Sequence, residues 1–534
     1  MLKVTIPSQK HSWRQLRIET TTYPHSVDDC PYILSLKNIT PCPNTTNMFY
    51  KNRLWISLFL LQASAVLAQS QNTWKTSSPE EQGMSSLLIA NAIKQIKHDG
   101  TNIHSLLVIK NNHLVLDASF YPFKSTYPHD LASVTKSITS LLIGIAIDKK
   151  FINSENEPIV NFFPEYKINN DTLKTVRIKD LLNMSSGFQC SWDNGERELY
   201  EMRKGRDWVK YMLTLPFANN PDAQFSYCSG NFYLLAEILQ RAAKMSCHEF
   251  AKKYLFKPLG FGESYWLTNY KGVNHGWGDL HISIYDFAKI GCLVLNGGEW
   301  NGKQIISKQW LDKIQPLHKI NKTEFYGYGW WLDMENPDLV QAIGRGGQRL
   351  FIYKTMNMVI ATFGGGGYDS GKLDDFILEA IEKYNKNESN YALLQKAVKN
   401  ASLPDTSATT PEAFPKSELN KTFLLNNNEM GLQSMRFEKR KTGYYMIVGF
   451  ADSSIEEHPI GMNNQYKISK EPAFKLPMAI KGKWVNDTLF VDYNRLCRIE
   501  DYKFSIIFKE NDSMEIRLTE ASKNINQTIP AKKM

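Results

Sequence analysis

Ser133-Val134-Thr135-Lys136-Ser137-Ile138-Thr139-Ser140-Leu141-Leu142-Ile143-Gly144-Ile145 carries a hydroxyl and an amine three residues apart, followed at once by an apolar run. Ile138, Leu141, Leu142 and Ile145 recur at the spacing of a buried helical stripe, with no proline and no glycine before Gly144. On such a helix Ser133 and Lys136 share one face, so the amine can meet the hydroxyl and turn a weak nucleophile into an acylatable one. Ser133 falls at the N-terminal end, where free backbone N–H groups and the helix dipole favour negative charge developing on a substrate oxygen. Alone, a serine and lysine at this spacing also describe an ordinary cap with a lysine in the first turn.

Two further elements change that balance. Phe225-Ser226-Tyr227-Cys228-Ser229 precedes a second helical pattern (Tyr233, Leu234, Leu235, Ala236, Ile238, Leu239), which puts Tyr227 in the turn before a helix. A phenol near a lysine cation is expected to have its pKa lowered and to move a proton. Downstream, Gly344-Arg345-Gly346-Gly347-Gln348 leads into the short apolar run Leu350-Phe351-Ile352-Tyr353, which reads as a buried strand. Glycines there let backbone approach a substrate and aim N–H groups at it.

With these three motifs the chain resembles the serine β-lactamase and penicillin-binding-protein superfamily, in its branch of class C-like esterases, D-amino-acid peptidases and 6-aminohexanoate-dimer hydrolases. Its signatures S-x-x-K, Y-x-N or Y-x-S, and K-T-G or H-x-G correspond to residues 133–136, to Tyr227-Cys228-Ser229 and to Arg345-Gly346-Gly347. Leu181-Leu182-Asn183-Met184-Ser185-Ser186-Gly187, Gly278-Asp279-Leu280 with Ser283 and Asp286, and Tyr326-Gly327-Tyr328-Gly329-Trp330-Trp331 also look like that branch. The resemblance spans about residues 74–384. It implies an α+β fold, a β-lactamase-like sandwich of an antiparallel sheet flanked by helices with a helical subdomain. It also implies an acyl-enzyme on Ser133, with Lys136 and Tyr227 transferring protons. The oxyanion would be held by backbone N–H groups of Ser133 and Gln348, with Gly347, Arg345 and Ser229 facing the substrate.

Two motif positions depart from the pattern. Ser229 replaces an asparagine, removing an amide that binds a substrate carbonyl or the lysine in many relatives. Arg345 stands where lysine or histidine is usual, and a guanidinium forks onto a carboxylate rather than shuttling protons. Either it recognises an anion, or it points to solvent beside a strand end.

At 534 residues the chain is long enough for two or three domains, and its 42% hydrophobic and 22% charged content is that of a globular protein. The net charge of +9 is spread along the chain with acids interspersed, so no basic patch argues for nucleic acid. Residues 48–68 read as a signal peptide: a basic start at Lys51 and Arg53, an apolar run and small residues ending at Ala68. That run is short for a membrane span, so export to the periplasm or medium without an integral span after processing is expected. Residues 1–47 would then be a leader upstream of the initiator or a disordered arm. The seven cysteines show no metal-ligand spacing, so neither a metal nor a cofactor is expected. Cys190 and Cys228 would lie near the pocket, as free buried thiols by default or as a disulfide.

The first unit, residues 70–385, opens with a helix at 87–96 and a hairpin of 106–109 against 114–116, turned at Asn111-Asn112. A helical region to about Gly260 is inserted before strands return at 328–363, and a helix covers 374–384. Residues 386–411, with a short helix and then Leu403-Pro404 and Thr410-Pro411, read as a linker. The remainder, 412–534, shows strand patterns at 444–450, 478–480, 488–491, 504–508 and 514–518, read as a barrel-like β domain for stability or oligomerisation. The partner is therefore a small-molecule ester or amide. The enzymatic alternative is a weak β-lactamase or D-alanyl peptidase, and the non-enzymatic one a binding or scaffold protein on the same fold.

Overall fold

The computed structural model describes residues 74–191, 193, 195–371, 373–386, 389–404, 414–470 and 476–534. The expected leader and signal peptide lie outside the described residues, as does part of the expected linker.

Nine strands form the first sheet, in the order Lys75–Thr76, His113–Ser119, Ile103–Lys110, Met358–Gly364, Gln348–Tyr353, Leu339–Gly344, Trp330–Asp333, Glu324–Gly327, His318–Lys319. All neighbours are antiparallel except Lys75–Thr76, which runs parallel to His113 and Leu114. The hairpin turns at Asn111 and Asn112, both with positive φ, as a two-residue turn matched to strand twist demands. Alternation of side chains splits the apolar residues between two faces. Leu107, Ile109, Leu350, Ile352, Val359 and Ala361 enter the larger core, and Leu106, Val108, Phe351, Tyr353, Met358 and Ile360 the smaller.

Helices Ser86–His98, Leu373–Glu382 and Tyr391–Ala401 cover the smaller face. The last of these lies within the stretch expected as a linker. Its Leu394, Ala397 and Ala401 are buried against the Ile89 and Ile93 side of the first helix, because its apolar residues recur at helical spacing. On the larger face, Ile284–Leu295 lies on the central strands and Val134–Asp148 touches strand Leu339–Gly344, its other side packed on helix Ser229–Ala243 of the helical region at residues 159–259. Val134–Asp148 is buried on every side from Val134 to Ala146, so apart from its motif residues it is a core element rather than an amphipathic one.

Residues 422–533 build a ten-stranded antiparallel sheet that curls into a nearly closed barrel. Its order is Ile455–Ile460, Gly443–Phe450, Leu432–Arg440, Thr422–Leu425, Ile525–Lys533, Ser513–Glu520, Asp501–Lys509, Thr488–Arg495, Pro477–Val485, Lys467–Lys470. Gly461 bridges Lys481 across the seam, and its N–H donates to the carbonyl of Ile480 at 3.2 Å. Met435, Phe437, Val448, Ile480, Val491 and Ile506 fill the interior. Among the described residues no helix is long and apolar enough to cross a membrane.

Cys190 and Cys228 form a disulfide, with Cα atoms 5.4 Å apart, which corrects the expectation of free thiols at those two positions. Cys190 follows Gly187, whose φ of +80° turns the chain back along residues 218–219, and this brings its sulfur to the start of the Ser229–Ala243 helix. Cys247, Cys292 and Cys497 are free and buried.

Candidate active site

Ser133 immediately precedes helix Val134–Asp148, and the Lys136 ammonium donates to its Oγ at 2.9 Å and to the Trp277 carbonyl at 3.0 Å. Lys136 is 1% exposed while Ser133 is half-buried, so the nucleophile can be reached and the amine cannot be solvated. Burial pushes the Lys136 pKa down to about 8, with Glu196 and Asp279 pulling the other way. The segment beside it is fixed at several points. Thr139 Oγ1 donates to the Gly276 carbonyl at 2.8 Å, and the Leu131 N–H to the Leu280 carbonyl at 2.9 Å. On the other side Ser137 Oγ donates to the Gly329 carbonyl at 2.7 Å.

Tyr227 enters from the turn before helix Ser229–Ala243, and its hydroxyl shares a hydrogen bond with the Ser133 side chain. The Lys136 Nζ sits 4.9 Å from the centre of its ring. The turn is held by the disulfide, by the Ser226 N–H on the Met184 carbonyl at 2.7 Å, and by Ser226 Oγ on the Cys190 carbonyl at 2.6 Å. Contrary to the sequence-based expectation, the phenol's pKa is raised. Burial dominates, Glu196 adds to it, and the hydrogen bond with Ser133 only partly offsets them. Phe225, Tyr326 and Trp331 ring Tyr227, with centroids 6.1 to 6.5 Å from it.

The third motif borders the nucleophile through Gly344. A Cβ there would stand 2.6 Å from the Leu131 carbonyl oxygen and 3.2 Å from the Ala132 Cβ, so only glycine lets this strand end approach the turn before Ser133. Gln348 opens the neighbouring strand opposite Gly344, and its buried amide donates to the Gly346 and Gly364 carbonyls at 2.9 and 2.8 Å. Its side chain thus holds the glycine turn in shape. Gly347 packs on Tyr368 and accepts a hydrogen bond from Thr362 Oγ1 at 2.7 Å.

Arg345 and Ser229, the two departures from the motif pattern, each have a carboxylate partner within the protein. The Arg345 guanidinium donates to Glu500 at 3.1 Å and to Ser522 Oγ, both from the barrel, so its charge is paired rather than loose in solvent. The Ser229 hydroxyl donates to the Glu196 carboxylate.

Sequence reasoning missed Glu196 as a charged neighbour of the site, and it placed Asp279 in a family-like segment without giving it a charge role. Glu196 sits at φ +57°, just before helix Arg197–Lys204, and Asp279 at φ +62° is bonded to His275 Nδ1 at 2.7 Å. Positive φ at a non-glycine is uncommon and marks both. For Glu196 the preceding Gly195 was the sequence signal available. Two concavities border Glu263, one lined by Thr126, Gly262 and Asp286, the other by Lys252 and Phe261, and neither contains a member of the trio. Among the described residues no group of three or more His, Cys, Asp and Glu could hold a metal.

A family model described as Beta-lactamase matches residues 89–379, just over half of the 534-residue chain. The 6-aminohexanoate-dimer hydrolase of Paenarthrobacter ureafaciens is 22% identical over 288 residues, covering 48% of this chain and 71% of that protein. Protein flp of Staphylococcus aureus (strain MW2) is 25% identical over 197 residues, 34% of this chain and 39% of its own length. The octameric penicillin-binding protein homologue from Pyrococcus abyssi superposes with a TM-score of 0.45 at 15% identity, covering 84% of this chain and 99% of its own.

Proposed function

The chain belongs to the Beta-lactamase family, and from that premise we propose that it is an exported serine hydrolase cleaving an ester or small amide through an acyl-enzyme on Ser133. The observation that carries this reading is the shared hydrogen bonding of one half-buried hydroxyl, Ser133 Oγ, by Lys136 at 2.9 Å and by Tyr227. The relative named as a 6-aminohexanoate-dimer hydrolase supports this reaction class.

In the proposed cycle the neutral Lys136 amine accepts the Ser133 proton as Oγ attacks the carbonyl carbon. The raised phenol pKa keeps Tyr227 protonated at rest, which suits it to deliver its proton to the leaving oxygen or nitrogen. The ammonium formed on Lys136 then restores the phenol. Water repeats the sequence on the acyl-enzyme. Developing charge on the carbonyl oxygen falls at the N-terminus of the Val134–Asp148 helix and near the backbone of Gln348. Two units, residues 70–385 with this site and the barrel from 412 onward, are the organisation we attach to it.

Export is supported by the basic-apolar-small run of residues 48–68 and by the Cys190–Cys228 disulfide, a bond typical of oxidising compartments. The aromatic rings of Phe225, Tyr326 and Trp331 suit a short acyl or aryl group. A fluorophosphonate should label Ser133, and the native chain should turn over one or more of a panel of p-nitrophenyl esters, nitrocefin and D-amino-acid amides, whereas Ser133→Ala should do neither. Full activity in Ser133→Ala would end the proposal.

A further inference from the structure

The barrel borders the site through the segment 496–500 and the turn 520–523. Residues 496–500, between strands Thr488–Arg495 and Asp501–Lys509, lie against the strand ends beside the nucleophile. The Asp130 N–H donates to the Cys497 carbonyl at 2.9 Å, the Gly366 N–H to the Ile499 carbonyl at 2.8 Å, and Asn102 Nδ2 to Asp501 at 3.2 Å. Ile499 is fully buried, and a Cβ on Gly346 would meet it at 2.3 Å. Glu500 is therefore held in a fixed place rather than on a free loop.

We propose that Glu500 determines specificity: by holding the Arg345 guanidinium, this barrel residue denies the site a free cation and selects against substrates that carry a carboxylate. The inference rests on the hydrolase reading and names a limit on its substrates.

Arg345 follows Gly344, the residue in contact with the turn before Ser133, and its charge acts on Asp130, three residues ahead of the nucleophile. A cation in that place would meet a substrate anion if its N–H groups were open. Both of its terminal nitrogens are already engaged: Arg345 Nη2 and Lys523 Nζ each lie 3.1 Å from the same Glu500 oxygen, and Arg345 Nη1 donates to Ser522. Glu520 accepts from Ser522 Oγ at 2.9 Å and from the Lys523 N–H at 2.8 Å, and it acts on Arg345 as a second negative charge. Arg345, Lys523 and Arg498 thus act together on the Glu500 carboxylate, with Glu520 beside them. Although burial opposes it, Lys523 and Arg345 hold the Glu500 carboxyl well below its ordinary range, so it stays ionised. A substrate carboxylate would have to displace a pair already formed and only partly solvated. Near Lys136 and Tyr227, the Glu196 carboxylate adds repulsion.

The test uses the full chain and three chromogenic esters. One is neutral, p-nitrophenyl butyrate; one carries the carboxylate on the leaving group, 3-butanoyloxy-4-nitrobenzoate; one carries it on the acyl group, mono-p-nitrophenyl adipate. The readout is kcat/KM for each anionic ester divided by that for the neutral one. Glu500→Gln should raise this ratio for one or both anionic esters by about tenfold, the size of one charge-assisted hydrogen bond regained. The double variant with Arg345→Gln should return it to the native value. A ratio within about twofold of native for both esters overturns the proposal, and so does a gain that survives in the double variant. Arg345→Gln alone keeps the question open to refutation even where Glu500→Gln folds poorly. The native ratio should not change, and a tenfold fall would mean Arg345 already binds anions. Absence of neutral-ester turnover and of Ser133 labelling in the native protein would remove the hydrolase reading itself, whereas turnover with an unmoved ratio removes only this inference.

Discussion

Lys136 Nζ lies 2.9 Å from Ser133 Oγ across the first turn of one helix, and the same burial that brings them together sets the amine's pKa near 8. The amine must be neutral to accept the serine proton. Below its pKa it is protonated and cannot. With a p-nitrophenyl ester, kcat/KM should therefore rise with pH along a limb centred at about 8, falling about tenfold per unit on its acid side. A profile flat from about pH 6 upward would mean that Lys136 is not the base.

Tyr227→Phe removes the hydroxyl bonded to Ser133 while keeping the ring packed among Phe225, Tyr326 and Trp331. Loss of general acid–base assistance predicts a fall in kcat of about 10²- to 10⁴-fold. The thermal midpoint should move little, since no apolar area is lost. Steady-state kinetics beside a melting curve separate the two effects.

The Cys190–Cys228 bond closes a loop of 38 residues and adjoins Tyr227. Replacing both cysteines by serine should lower unfolding stability by about 2–4 kcal/mol, as measured in urea. It should also lower activity beyond what stability explains, because the turn carrying the phenol loses one of its anchors. Equal kcat in the two proteins would show that the hydrogen bonds of Ser226 suffice.

Periodicity made most of the first unit legible. The 133–148 helix, the Asn111-Asn112 hairpin and the strands around 339–364 follow from apolar spacing and turn chemistry, which tertiary context did not override here. In the barrel, Leu432–Arg440 and Ile525–Lys533 gave no clear signal. In the first, the pairing slips between Leu432 and Ser434, breaking the alternation of Leu432, Met435 and Phe437. The second is polar and contains Pro530, which argues against a central strand. It is accommodated because the short Thr422–Leu425 neighbour pairs only as far back as Ala531.

In the site, local motifs located the nucleophile, amine and phenol but not what surrounds them. The partner of Arg345 lies 155 residues away on the barrel, and that of Ser229 lies 33 residues upstream, separations that no local pattern encodes. The direction of the Tyr227 shift was misjudged for the same reason. The nearby cation was visible in sequence, whereas the burial that outweighs it was not.

Glu196 tests whether the site's charge balance is set from outside the three motifs. Its carboxylate accepts the Ser229 hydroxyl and favours the protonated form of Lys136, opposing burial. Glu196→Gln keeps an oxygen for Ser229 but removes the charge, so the Lys136 pKa should drop below its value of about 8. The amine would then be neutral over a wider range. The acid limb of kcat/KM should shift to lower pH, by about one unit or less for a partly screened charge, and activity near neutrality should rise relative to the plateau. A merely structural contribution would lower the plateau and leave the limb in place. The full pH profile of Glu196→Gln against the native chain distinguishes the two, and a limb moving to higher pH would contradict the electrostatic account.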